Sequence, residues 1–161
     1  MTASILTPEI RAHLDQWILR YPPEQKRSGV FEALRLVQAA NHNSLTVELM
    51  DAVADYLGMP KIAVYEVATF YSLYHLNLVG RHVIDVCTNI SCSLNGSDEL
   101  AGHLKKRLGI DFNETTADGK FTLREVECLG ACIAPPVCQI GHQYYEKLSP
   151  EKMDEILSEL E

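Results

Sequence analysis

Long apolar runs are missing from this 161-residue sequence. Nothing in it approaches the roughly 20 consecutive apolar residues that cross a bilayer as a helix, so no membrane insertion is expected. An excess of positive charge is missing too: 14 Lys and Arg stand against 22 Asp and Glu, a formal net charge of -8. That argues against a nucleic-acid binder, which needs a basic face. The opening MTASILTPEI has neither the basic start and apolar core of a secretion signal nor the Arg- and Ser-rich character of a transit peptide. The chain is therefore expected to stay in the compartment where it is made. No glycine-rich nucleotide motif occurs, so no dinucleotide site is expected in this chain alone. No C-x-x-C pair occurs either, which argues against a disulfide-exchange enzyme.

What is present is an ordinary globular composition, 47% hydrophobic and 22% charged, in a length that suits one domain or two small ones. Five cysteines without an export signal imply a reducing compartment, where metal binding or redox chemistry explains clustered cysteines better than disulfides do.

The first half reads as four helices. Thr7 caps the first, with Pro8 at its first position, and Ile10, Leu14, Trp17, Ile18 and Tyr21 form its stripe until Pro22-Pro23. The second spans 30–40, with Val30, Phe31, Leu34 and Val37 inward. Thr46 opens the third, whose core face is Val47, Met50, Val53, Ala54 and Leu57, and Gly58 ends it. The fourth runs from Pro60 through Tyr71, packing Val64, Val67, Ala68 and Tyr71. Four short stripes bury each other most simply in a small helical bundle.

The character changes near residues 76–81, which divides the chain into 1–78 and 79–161. Segment 82–87, HVIDVC, is β-branched and alternating, a strand ending on Cys87. Ser97 caps a helix that Gly109 terminates. Asp118-Gly119 turns into a second strand over 120–127, and Gly141-His142 joins a hairpin of 137–140 with 143–145. Ser149-Pro150-Glu151 opens a last helix that buries Met153, Ile156, Leu157 and Leu160. The fold class expected is α+β, a helical bundle followed by a sheet domain in the order strand, helix, three strands, helix.

Four cysteines fall in two pairs, Cys87 with Cys92 (C-x4-C) and Cys128 with Cys132 (C-x3-C). Each pair follows a predicted strand, so two loops at one end of a sheet can bring four thiolates together. Soft thiolate donors suit iron bridged by sulfide, and a [2Fe–2S] centre takes two per iron. Structural zinc also takes four cysteines, and spacing alone leaves the two open. Leu129, Gly130 and Ala131 can turn amides toward sulfur, and Thr88, Asn89, Ser91 and Ser93 offer donors beside the first pair. Pro135-Pro136 stiffens the exit of the second loop. Cys138, in the alternating run VCQI, is expected to be an ordinary buried residue. The six histidines share no ligand spacing. Tyr65, Phe70, Tyr71 and Tyr74 are read as helix packing, and the acidic stretch 151–161 as the solvated face of an amphipathic helix.

The segments VCTNISC (86–92) and ECLGAC (127–132) together resemble the cluster motif of the small [2Fe–2S] subunit of respiratory NADH:quinone oxidoreductase, the E-subunit family of bacterial complex I. YEVATFYSLYHL (65–76) looks like that family's helix and linker before the cluster domain. FEALRLVQAA (31–40) and YYEKLSPEKMDEIL (144–157) match its pattern as well, so the resemblance covers nearly the whole chain. It implies that 79–161 is a thioredoxin-like [2Fe–2S] ferredoxin domain carrying one [2Fe–2S] cluster on Cys87, Cys92, Cys128 and Cys132. Ile133-Ala134-Pro135-Pro136 has one proline more than many relatives, which leaves the four ligands in place.

The resemblance further implies a partner flavoprotein subunit that binds FMN and NADH, further subunits of the NADH-dehydrogenase module, and a cytoplasmic position, peripheral on the inner membrane through the complex. This chain would then be a non-catalytic electron-transfer subunit of an enzyme, its cluster near the partner's flavin. The helices of 1–78, having no chemistry of their own, are expected to dock the partner. Relatives also serve NAD-dependent formate dehydrogenases and NAD-reducing hydrogenases; complex I is favoured because the chain shows no fused domain. Two readings of other classes stay beside it. One is a zinc-stapled structural adaptor on the same thiolates, the other a thiol-based redox protein with a low-pKa cysteine.

Overall fold

A computed structural model describes residues 6–160. The chain divides into two compact units between Leu78 and Val79.

The first unit holds helices α1 (Pro8–Ile18), α2 (Val30–Ala40), α3 (Val47–Leu57) and α4 (Lys61–Phe70), with a 3-10 turn at Pro23–Gly29 before α2. The caps are those that the residue types dictate. Thr7 Oγ1 accepts from the Ile10 amide at 3.3 Å, and Thr46 Oγ1 from the Leu49 amide at 3.3 Å. Leu14, Leu34, Val37, Val53 and Val64 are fully buried and make the core. Two polar groups inside it are satisfied rather than stranded. Glu32 accepts from Arg35 Nη2 at 2.6 Å and lies 2.9 Å from His13 Nε2. The Arg35 guanidinium, foremost, holds the Glu32 carboxyl below its ordinary value. Gln38 donates to the Leu73 carbonyl at 3.1 Å and accepts from the His75 amide at 2.7 Å, tying the segment after α4 back to α2.

Four packing assignments fail: Phe70 is 80% exposed and Tyr71 39%, both at the end of α4, and two others lie on α2 and α3. Phe31 is 42% exposed and Val47 56%. Val30, Leu34 and Val37 already fill the stripe of α2, and Phe31, one residue round the helix, instead meets Tyr71 edge-on at 4.8 Å between centroids. Val47 is the first residue of α3, a turn ahead of Met50, at the fraying edge of its stripe. Tyr71, expected in α4, is its extended cap residue, and Tyr21 lies past the end of α1. The 3-10 turn went unanticipated because Pro22-Pro23 hides any helical period.

The second unit is a five-stranded mixed sheet in the order β2-β3-β1-β4-β5. Its elements are β1 (His82–Cys87), α5 (Ile90–Ser93), α6 (Ser97–Leu108), β2 (Glu114–Thr115), β3 (Phe121–Val126), β4 (Cys138–Ile140), β5 (Gln143–Tyr145) and α7 (Pro150–Leu160). Strands β1 and β3 are parallel, with α6 in the crossover, and Cys87 stands opposite Val126. Strand β4 returns antiparallel to β1 and forms the expected hairpin with β5. Ile84, Val86 and Leu123 from the sheet bury against Leu100 and Leu104 of α6 and Met153 and Leu157 of α7. This mixed sheet with helices agrees with the thioredoxin-like α+β class expected of the sequence. The start of α6 is corrected by one residue: Gly96, at φ 96°, is the cap, and Ser97 is the first helical residue and buried. Elements α5 and β2, four and two residues long, are too short to show a period.

Gly80 has a steric role at the start of this unit. A Cβ there would meet Lys120 C, Lys120 O and Phe121 C at 2.9 Å each. Those are backbone atoms beside β3 and cannot swing aside. Gly102, within α6, would meet nothing within 4 Å. Gly80→Ala should therefore lower stability by about 1–3 kcal/mol, whereas Gly102→Ala should raise it by about 0.4–1 kcal/mol. Urea unfolding of both variants measures this; equal midpoints would contradict the assigned crowding.

Candidate metal centre

Because β1 and β3 run the same way, their C-terminal ends lie side by side. Cys87 is the last residue of β1, and Cys128 follows two residues after Val126 closes β3. The backbone around Cys87 is pinned on both sides. Its amide donates to the Val137 carbonyl at 3.1 Å, and the Thr88 amide to the Val126 carbonyl at 3.1 Å. Cys92 lies on α5, whose start is fixed by Asn89 Oδ1 accepting from the Ile90 amide at 2.9 Å. The second loop folds on itself through the Ala134 amide to the Ala131 carbonyl at 3.1 Å. It is held to the segment after β5 by the Lys147 amide on the Ala134 carbonyl at 2.9 Å.

The thiols divide by environment. Cys87 is 3% exposed and Cys92 2%. With Val137 they form a small apolar cluster, against which Val126, Leu129 and Ala131 pack. Cys128 and Cys132 are exposed. Burial, first, and a hydrogen bond with the Cys87 thiol push the Cys92 thiol up to about 11, while the Val137 amide pulls the other way and Cys132 lies within electrostatic reach. The Cys87 thiol donates to the Glu127 carbonyl at 3.7 Å, and the Gly130 amide donates to Cys128 Sγ at 3.3 Å. The two loops expected to share one end of the sheet do share it.

The donor set suits a two-iron centre. Thiolate is the binding form, so a metal bound here would displace the thiol protons. A [2Fe–2S] centre asks for two thiolates on each iron, which two cysteine pairs supply. The expected side-chain donors are mostly engaged elsewhere. Thr88 Oγ1 donates to Glu125 at 2.8 Å, Ser93 Oγ to Asp98 at 2.9 Å, and Asn89 caps α5. The Gly130 and Val137 amides supply the bonds to sulfur instead, a role that Val137's apolar side chain gave no sign of.

Cys138 stands apart, in the main core of the unit, fully buried, its sulfur 4.0 Å from that of Met153. Burial, and next the Asp85 charge, push its thiol up to about 12. His13 and His103 are paired with Glu32 and Asp154 at 2.9 Å each. Asp154 therefore does more than solvate the last helix: it joins α7 to α6.

The family model for the thioredoxin-like [2Fe–2S] ferredoxin matches residues 14–161. The E-subunit of NADH-quinone oxidoreductase from Rickettsia felis is 49% identical over 142 residues, covering 88% of this chain and 85% of that relative. E-subunit 2 of NADH-quinone oxidoreductase from Rhizobium meliloti is 42% identical over 148 residues, 92% of this chain and 86% of that one. Among solved structures, an NAD+-reducing [NiFe]-hydrogenase in its H2-reduced state superposes with a TM-score of 0.70 at 18% identity, covering 82% of this chain but 22% of the hydrogenase chain. That likeness is one of fold.

Proposed function

The chain belongs to the thioredoxin-like [2Fe–2S] ferredoxin family, and from that premise we propose that it is the one-electron relay subunit of an NADH:quinone oxidoreductase of the complex I type. It holds a single [2Fe–2S] cluster, for which Cys87, Cys92, Cys128 and Cys132 are the proposed ligands. The observation that carries this assignment is the parallel register that sets Cys87 opposite Val126 and so brings both cysteine loops to one end of the sheet. When bound, the cluster supplies reversible one-electron chemistry. The chain's own residues fix it in place, exclude water from the Cys87 and Cys92 side through Val137, Val126 and Leu129, and donate the Gly130 amide to sulfur. Relatives at 42–49% identity favour this assembly over a hydrogenase, where the likeness is of fold alone.

Such a relay works with partner subunits, and the proposed immediate one is the flavoprotein that binds FMN and NADH. No helix among the described residues is long and apolar enough to cross a membrane, in keeping with a proposed peripheral position on the cytoplasmic side of the inner membrane, held through the complex. For docking, the first unit offers exposed aromatic surface. Phe70 is 80% exposed and stacks edge-on with Tyr71, which meets Phe31 in the same way. Aromatic groups of this kind are frequent anchors in interfaces.

Cys92→Ala and Cys132→Ala are expected to lose the visible absorption of the oxidised cluster, and Cys138→Ala to keep it; the reverse pattern would overturn the ligand assignment. Phe70→Ser should weaken co-purification with the flavoprotein at least about tenfold, the loss of a modest interface anchor, while the cluster absorption stays. Undiminished co-purification would remove Phe70 from the docking surface.

A further inference from the structure

The turn between α5 and α6 carries a chemistry that an electron relay does not use. Asn95 and Gly96 make the one Asn-Gly pair of the sequence. Both are exposed, Gly96 has φ 96°, and a Cβ there would meet nothing within 4 Å. Having no Cβ, a glycine lets its amide nitrogen approach the side-chain carbon of the residue before it closely. We infer that Asn95 is a site of spontaneous deamidation, and that the short helix α5 is the gate that restrains it. In the step, the Gly96 amide gives its proton to water and its nitrogen bonds Asn95 Cγ. The Cγ–Nδ2 bond then breaks, and ammonia leaves with a proton taken from water. A second water opens the cyclic imide to aspartate or isoaspartate, so amide plus water becomes acid plus ammonia.

Two hydrogen bonds engage the reacting groups. Asn95 Nδ2 donates to the Ser91 carbonyl at 2.7 Å, and the Gly96 amide to the Ser93 carbonyl at 3.1 Å. Both acceptors belong to α5, so a single opening of that helix frees the nucleophile and the carbon it attacks together. Its footing is slight. Four residues are too few for a helix to persist on its own hydrogen bonds, and Cys92 alone among them is buried. Ile90, and Leu94 just after the helix, are exposed. The further ties are the Asn89 cap on the Ile90 amide and Ser93 Oγ on Asp98. The product does not rebuild what held it. A carboxylate at position 95 has no N–H for the Ser91 carbonyl and turns negative charge toward it. Conversion therefore leaves α5, and Cys92 with it, more open than before. That consequence for a cluster rests on the ligand assignment above; the deamidation does not.

Peptide mass mapping of the full chain after long incubation in mildly alkaline buffer tests the inference, with isoaspartate detected by enzymatic methylation. In urea-unfolded chain, residue 95 should convert faster than any other asparagine. In the folded chain it should convert several-fold more slowly, and Asn89→Ala, which removes the cap of α5, should recover much of the lost rate. Ser93→Ala, which cuts the exposed tie to Asp98, should act in the same direction and stands in if Asn89→Ala does not fold. No conversion at 95 in the unfolded chain would overturn the site. Equal rates in folded and unfolded chain, or in wild type and both variants, would overturn the gate. Asn95→Asp should lose its visible cluster absorption several-fold faster than wild type, and equal retention would remove the consequence for Cys92. A wild-type chain that takes up no iron would sink the ligand assignment and leave the mass result standing.

Discussion

The site depends on one constraint: β1 and β3 are parallel and in a register that places Cys87 beside Val126. Parallel neighbours end at the same edge, so the residues leaving both strands emerge together. Had β3 paired antiparallel to β1, the second cysteine loop would leave from the far end of the sheet. The register is fixed in turn by burial. Ile84 and Val86 point into the core beside Leu123, and a slip by one residue would turn all three outward. The packing of the sheet against α6 and α7 therefore positions the cysteines.

Around that edge the structure grades polarity over a short distance. Cys87 and Cys92 sit in a small apolar cluster separate from the main core, whereas Cys128 and Cys132 are open. The amides of Gly130 and Val137 reach sulfur, while the nearby hydroxyls of Thr88 and Ser93 serve carboxylates. Backbone donors are held by the loop fold itself, so they remain aimed where a freely rotating hydroxyl would not. For a relay that makes and breaks no bonds, such fixed dipoles and the gradient of burial are the means by which the protein influences its cofactor.

Much of this was legible in the sequence, for reasons that differ from element to element. Thr7, Thr46 and Gly58 mark helix ends because their chemistry is local: α1 starts after Thr7, and α3 starts after Thr46 and stops at Gly58. The alternation in HVIDVC and the Gly141-His142 turn are likewise local signals, and β1, β4 and β5 follow them. Phe31 and Val47 were misread because periodicity says which residues share a face, and neighbours decide how wide the buried part of that face is. The cap of α6 fell on Gly96 rather than Ser97, a choice between two capable residues that context alone settles. At the site, spacing marked two cysteine loops, which the structure brings to one end of the sheet, and the alternating run VCQI marked Cys138 as buried, as it is. The contrast between buried and exposed thiols could not be read there, since it arises from Val137, and from Leu129 of the second loop, packing against Cys87 and Cys92.

The most direct measurement of the central claim is iron and acid-labile sulfide analysis of chain prepared without oxygen, with electron paramagnetic resonance after reduction. The account predicts about two iron and two sulfide per chain, and a single-electron signal that disappears on reoxidation. A colourless chain carrying zinc, with no iron or sulfide and no ability to take them up, would contradict it.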